Sequence, residues 1–209
     1  MSDELIFYTN PMSRGRIVRW MLEEVGAPYR TELLDYDTGM KGPDYLAINP
    51  MGKVPAIKHK GVVVTEGAAI CAYLADAFPE AGLAPPPKER GDYYRWLFFA
   101  AGPVEAAVTN KTLGFVVPAG RERMAGYGAF EQAIGALETA VSGRDYICGD
   151  RFTAADVYVG AQIGFGMQFG GIDKRDAFTK YWERISARPA ALRANEIDGG
   201  MPPPPPAAN

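Results

Sequence analysis

Val54-Pro55-Ala56-Ile57-Lys58-His59-Lys60-Gly61-Val62-Val63-Val64-Thr65-Glu66-Gly67 is the stretch on which the architecture turns. Two short apolar runs, Val54–Lys58 and Val62–Val64, flank a Gly-bearing turn, the pattern of a β-hairpin. From Glu66 to Phe78 the period becomes helical, with Ile70, Tyr73, Leu74 and Ala77 on one face. Upstream, Leu5-Ile6-Phe7-Tyr8 reads as a buried strand broken by Asn10-Pro11. Ser13–Val25 then carries Ile17, Val18, Met21, Leu22 and Val25 at helical spacings, with Ser13 where an N-cap belongs and Gly26 as a stop. Tyr29–Leu34 is a second strand. Strand, helix and strand in that order favour a parallel pair with a right-handed crossover. A short helix, Asp44–Ile48, lies within the Gly39–Asn49 stretch. The first eighty or so residues therefore read as βαβ followed by ββα.

Beyond Leu83-Ala84-Pro85-Pro86-Pro87, a stiff linker by composition, strand signals stop. Residues 88–113 read as one long helix kinked at Pro103. Phe130, Ile134, Leu137 and Val141 mark another helix. Thr153-Ala154-Ala155-Asp156 is a capping-box start, with Asp in place of the usual Glu or Gln and Phe152 placed to staple onto Val157. The helix after it is apolar nearly all round, as a central buried helix must be. Lys174–Ala187 is a last helix, ended by Arg188-Pro189. The expected organisation is an α/β domain over 1–82, a linker over 83–87, an all-helical domain over 88–200 and a disordered polyproline tail over 201–209.

Composition narrows the chemistry. The chain has 209 residues, a formal net charge of −3, two Cys (Cys71 and Cys148) and one His (His59). Length suffices for a core without disulfides or metal. The charge argues against nucleic-acid binding. No apolar run reaches the roughly 18 residues of a membrane helix, and the acidic N-terminus is unlike a signal peptide. Two isolated Cys with no Cys-x-x-Cys make neither a disulfide framework nor a dithiol redox centre. A zinc site would need to be rich in carboxylates, and no metal site is expected. A Ser-His-Asp triad would have only His59 to use, and no nucleophile elbow accompanies it. Reactive chemistry is thus expected to arrive with a substrate or cofactor. Cys71 and Cys148 read as packing residues, His59 as an exposed turn residue, and Arg14, Arg16 and Arg19 as a solvated helix face.

Four motifs, in order, carry a resemblance: Tyr8-Thr9-Asn10-Pro11-Met12-Ser13-Arg14-Gly15-Arg16; Asn49-Pro50-Met51-Gly52-Lys53-Val54-Pro55-Ala56-Ile57; Thr65-Glu66-Gly67-Ala68-Ala69-Ile70; and Gly149-Asp150-Arg151-Phe152-Thr153-Ala154-Ala155-Asp156. Together they resemble the cytosolic glutathione S-transferases, in particular bacterial, serine-type, theta/beta-like members, over residues 4 to 190. The resemblance implies an N-terminal thioredoxin-like domain, a C-terminal helical bundle, a cytoplasmic homodimer and glutathione as co-substrate in detoxification of hydrophobic electrophiles.

It also implies roles. Ser13 would donate its hydroxyl to the glutathione thiolate, or else only cap its helix; the side-chain amide of Asn10 is the rival donor. Val54, ahead of a cis Pro55, would pair with the cysteinyl backbone. Glu66 would bind the ammonium, and the Gly67 N–H at a helix start the γ-glutamyl carboxylate. Lys41 and Lys53 are candidates for the glycine carboxylate. Met12, Trp96, Phe99, Asn110 and Phe115 would line a second-substrate pocket. Gly67 departs from the family's usual Ser, and no Cys stands in the first turn, where Ser13 takes that place. Three activities fit: thiol transfer, glutathione-dependent peroxide reduction or isomerisation, and non-catalytic ligand binding.

Overall fold

The computed structural model describes residues 4–200, so the proline-rich tail expected at 201–209 lies outside the described residues. The chain forms two units. Among the described residues, one holds 4–84 and 188–200; the other runs from Pro85 to Ala187.

In the first unit, β1 (Leu5–Thr9), α1 (Gly15–Val25) and β2 (Arg30–Leu33) make the expected crossover. After a short helix, α2 (Pro43–Leu46), the hairpin β3 (Ala56–His59) and β4 (Val62–Thr65) leads into α3 (Gly67–Ala77). Sheet order is β2-β1-β3-β4. β1 pairs parallel with β2 (Ile6 opposite Arg30) and antiparallel with β3 (Phe7 opposite Ile57). Alternation along β1 buries Leu5, Phe7 and Thr9. α1 and α3 pack on each other. Their buried Ile17, Val18, Met21, Leu22, Ile70 and Leu74 each contribute roughly 1.5–3 kcal/mol by leaving water.

Three expectations change here. His59 is 4% exposed rather than solvated. It closes β3 with its ring facing inward, stacked on Phe78 at 5.3 Å and with Nδ1 3.1 Å from the Tyr73 hydroxyl. Arg16 and Arg19 are 8% and 3% exposed, not a solvated face. The reason is a helix that the sequence reading left out, α9 (Pro189–Ile197), which packs on α1. Arg188-Pro189 ends one helix, but Pro189 also starts the next, at the first helical position where its missing N–H costs nothing. Arg188 pairs bidentately with Glu24 at 2.7 and 2.8 Å. The Arg19 guanidinium sits 3.3 Å from Asp198. Residues 188–200, expected in the helical domain, therefore group with the α/β unit.

In the second unit the helix expected over 88–113 is α4 (Gly91–Phe99) and α5 (Glu105–Thr112), joined by one π-helical turn at Ala100–Val104 that contains Pro103. The other helices are α6 (Phe130–Val141), α7 (Ala154–Gln168) and α8 (Asp176–Ser186). α7 is the central buried helix. Gly164 brings α8 close, since a Cβ there would run into the Trp182 ring. The Thr153 hydroxyl accepts from Ala155 N, while Asp156 accepts from Thr153 N at 2.8 Å, Ile147 N at 2.7 Å and the Tyr181 hydroxyl at 2.7 Å. Burial raises the Asp156 pKa, and the hydrogen bonds pull against it.

Candidate active site

The turn between β1 and α1 is fixed from all sides. Thr9 is fully buried beneath the start of α1, and a Cβ at Gly15 would strike its hydroxyl, so Gly15 lets the helix begin directly over the strand end. Asn10 donates from Nδ2 to Leu34 O at 2.8 Å and accepts from Met12 N at 2.9 Å. The Tyr36 hydroxyl donates to Met12 O at 3.0 Å. Arg16 donates to Pro11 O at 2.9 Å, to Asp198 O and Asn195 Oδ1 at 3.0 Å each, and to Gly200 O. One guanidinium thus ties the turn to the end of α9. Burial lowers the Arg16 pKa, and Asp198 opposes that shift.

Ser13 stands at the end of this turn, half-buried. Its Oγ accepts from Gly15 N at 2.9 Å and donates to Asn10 O at 2.6 Å. The first bond satisfies the N–H of the first residue of α1, but the N-cap position is Arg14, one residue later than the sequence suggested, and its side chain makes no cap. The second is a hydroxyl hydrogen on a rotor, which can turn from a neutral carbonyl to a nearby anion. Asn10 has a second amide hydrogen besides the one given to Leu34. Both donors of the sequence reading therefore sit on one braced turn.

The second loop is equally wired. The Lys53 carbonyl accepts from the Tyr45 hydroxyl at 2.6 Å and from Asn49 Nδ2 at 2.8 Å. Lys41 Nζ donates to Gly52 O at 2.8 Å, leaving it two further donors, and the Lys53 side chain is exposed. Val54-Pro55 is cis. Val54 packs against the cluster of Met40, Tyr45 and Ala56 beside Tyr8. The sequence assigned no role to Tyr45 or Asn49. Asn49, ahead of Pro50, was their only local signal.

At the end of β4, Glu66 has φ +66°, a conformation that L side chains rarely adopt. Such a residue costs roughly 1–3 kcal/mol and persists where its surroundings demand it. It is exposed, its carbonyl receives Ile70 N at 2.8 Å, and Gly67 opens α3 immediately after it. Ser13, Asn10, Val54, Pro55, Glu66, Gly67, Lys41 and Lys53 thus all lie on loops or element ends of one unit.

The pocket residues divide. Met12 is 66% exposed on the first turn. Trp96 is buried in α4, with Phe99 against it edge-on at 5.6 Å. Asn110 and Phe115 instead line a cavity of about 470 Å³ with Val116, Val117, Pro118, Arg121, Met124, Ala125 and Tyr127. Trp96 and Phe99 are not in its wall; they pack on each other within α4. Neither cysteine suits nucleophilic chemistry: burial pushes the Cys148 thiol up to about 12 and that of Cys71 higher still.

Comparison with known proteins bears on the fold and the family. The sequence matches the Glutathione S-transferase, N-terminal domain family over residues 12–77 and the Glutathione S-transferase, C-terminal domain family over residues 105–183. It is 30% identical over 169 residues to glutathione S-transferase GstA of Escherichia coli O157:H7, covering 76% of this chain and 80% of that one. It is 28% identical over 208 residues to glutathione S-transferase GST-4.5 of Xanthomonas campestris, covering 91% and 98%. A glutathione transferase from Methylococcus capsulatus superposes with a TM-score of 0.77 at 30% identity, covering 93% and 98%. A sphingomonad glutathione S-transferase solved with glutathione gives 0.76 at 28%, with the same coverage. The two family domains match in chain order, one on each structural unit, and the chain belongs to the glutathione S-transferase family.

Proposed function

We propose that the chain transfers glutathione to hydrophobic electrophiles, with the Ser13 hydroxyl holding the thiolate. The observation that carries this is the Ser13 rotor on a turn whose every neighbour is pinned. A free thiol has a pKa of about 8.5, so roughly 3% is thiolate at pH 7. A hydrogen bond to a charged group is worth roughly 1.5–3 kcal/mol, or one to two pKa units. The positive end of α1 acts in the same direction. In the reaction the sulfur lone pair forms a carbon–sulfur bond, the leaving group departs with its bonding pair, and the thiol proton goes to solvent.

The rest of glutathione follows from the other loops. Its cysteinyl backbone pairs with Val54, ahead of Pro55. Its γ-glutamyl carboxylate meets the Gly67 N–H at the start of α3 and its ammonium meets Glu66. The unusual Glu66 backbone supports a functional role for that residue. Lys53 and Lys41 share the glycine carboxylate. The electrophile's apolar body lies at Asn110 and Phe115, in the cavity after α5. Exposed apolar residues such as Phe98 and Met51 support a homodimer, which sedimentation tests.

The deciding experiment is conjugation of 1-chloro-2,4-dinitrobenzene. Ser13→Ala is expected to lower kcat/KM about tenfold at pH 7 and to raise the kinetic pKa by one unit or more. Full activity in Ser13→Ala with loss in Asn10→Ala moves the role to Asn10. Absence of calorimetric glutathione binding turns the reading to a ligand-binding module, which the missing Ser hydroxyl at Gly67 favours.

A further inference from the structure

The cavity after α5 has an uneven chemistry. Phe115, Val116, Val117, Pro118 and Met124 give it an apolar wall, and none of its lining residues is acidic. Two donors stand on that wall without an anion. The Arg121 guanidinium's one hydrogen bond among the described residues is to the Met124 thioether at 3.5 Å, a weak acceptor. The Tyr127 hydroxyl accepts from Asn110 Nδ2 at 2.9 Å, so its own hydrogen is left to give. Asn110 therefore acts as a positioning residue that turns Tyr127 into a donor.

An apolar surface with two unmatched donors suits a ligand with an apolar body and an anionic oxygen. A planar guanidinium matches a carboxylate in particular. A volume near 470 Å³ is that of a small-molecule site. The 64% and 85% exposure of Phe115 and Val116 is apolar surface that a ring can cover. We propose that this cavity selects ring-sized electrophiles that carry a carboxylate, read by Arg121 and Tyr127. The proposal deepens the transferase reading and rests on it for its catalytic part.

The test uses the full chain with 4-chloro-3-nitrobenzoate and its methyl ester. In both, the glutathione sulfur bonds to the ring carbon bearing chlorine, chloride leaves with the bonding pair, and a proton is released. Each kcat/KM is divided by the uncatalysed rate with glutathione, because the ester activates the ring more than the carboxylate does. The corrected ratio of acid to ester is expected to be about fivefold or more in favour of the acid. Arg121→Gln abolishes the preference, Arg121→Lys keeps part of it, and Tyr127→Phe lowers it less. A ratio at or below one, or one unmoved by Arg121→Gln, overturns the proposal while leaving the transferase reading intact. If neither compound is turned over, calorimetry with the acid decides. Binding lost in Arg121→Gln keeps the site and no binding overturns it; in either case conjugation of 1-chloro-2,4-dinitrobenzene, not these two compounds, decides the transferase reading.

Discussion

The turn at residues 10–13 and the loop at residues 113–129 are held in opposite ways. The turn is fixed by partners far away in sequence: Leu34, Tyr36 and, through Arg16, Asn195, Asp198 and Gly200. The loop's hydrogen bonds among the described residues run to chain neighbours within five positions, apart from that between Asn110 and Tyr127. It exposes Phe115, Val116 and Met124. A donor that must sit within tenths of an ångström of a thiolate needs long-range bracing, since small displacements are costly in rate. A surface that receives varied apolar bodies gains from local, adjustable packing.

Removing the brace breaks the comparison most directly. Arg16→Gln leaves the Pro11, Asp198 and Gly200 carbonyls without their donor in a buried setting, and it is expected to cost about 3 kcal/mol or more of stability in urea unfolding. Activity should fall beyond what the lost folded fraction explains. Arg19→Gln serves as its counterpart. It loses the Asp198 ion pair and the bonds to Tyr29 and Thr31 but touches no atom of the turn, so the pKa of bound glutathione should stay put. Equal effects of the two on that pKa, read from thiolate absorbance, would dissolve the idea of a braced turn.

Glu66→Gly is smaller and two-sided. Glycine accepts a positive φ freely, so the relieved strain, offset by glycine's own entropy, should raise stability by up to about 1 kcal/mol. At the same time KM for glutathione should rise. A loss of stability would mean that the Glu66 carboxylate, not the backbone, is what the fold needs there. Phe115→Ala, on the other loop, should change stability by no more than about 0.5 kcal/mol, while raising KM for the electrophile.

The periodic segments were legible in the sequence for a plain reason: α1, α3, α6 and α7 each bury one face or all faces, and burial writes itself into apolar spacing. The α6 bounds, Phe130 and Val141, are the first and last residues of that spacing. The candidate site was legible through its turn residues, Asn10, Ser13, Pro55 and Gly67. What escaped depends on partners distant in sequence. Arg16 and Arg19 look like any charged helix face until Asp198 arrives some 180 positions later. α9 carries mixed residues, and the Pro189 that starts it reads equally well as a stop. Tyr45 and Asn49 act through one backbone carbonyl, and side-chain-to-backbone bonds leave no pattern in spacing. Arg121 and Tyr127 line one cavity because the loop after α5 folds back, with Tyr127 bonded to Asn110.

The smallest effect concerns how far bracing extends along the first unit. Asp35, fully exposed, lies one residue beyond Leu34, whose carbonyl receives Asn10. Its carboxylate accepts from Thr38 N at 2.7 Å, from the Thr38 hydroxyl and from Gly39 N. The Thr38 backbone bond, the Thr38 hydroxyl and Gly39 N, in that order, lower its pKa from 3.8 to about 2. With the folded value below the unfolded one, the carboxylate's contribution is complete above pH 3.8 and disappears as pH falls through about 2. Carboxyl NMR should find Asp35 titrating near 2, and Thr38→Val should move it back toward 3.8 by removing the hydroxyl bond while keeping the two backbone bonds. An ordinary value in the unmodified chain would mean that the turn ahead of Lys41 is loose. Rigidity would then stop at Leu34, and Lys41 would reach the glycine carboxylate as an adjustable residue, like those of the loop at 113–129.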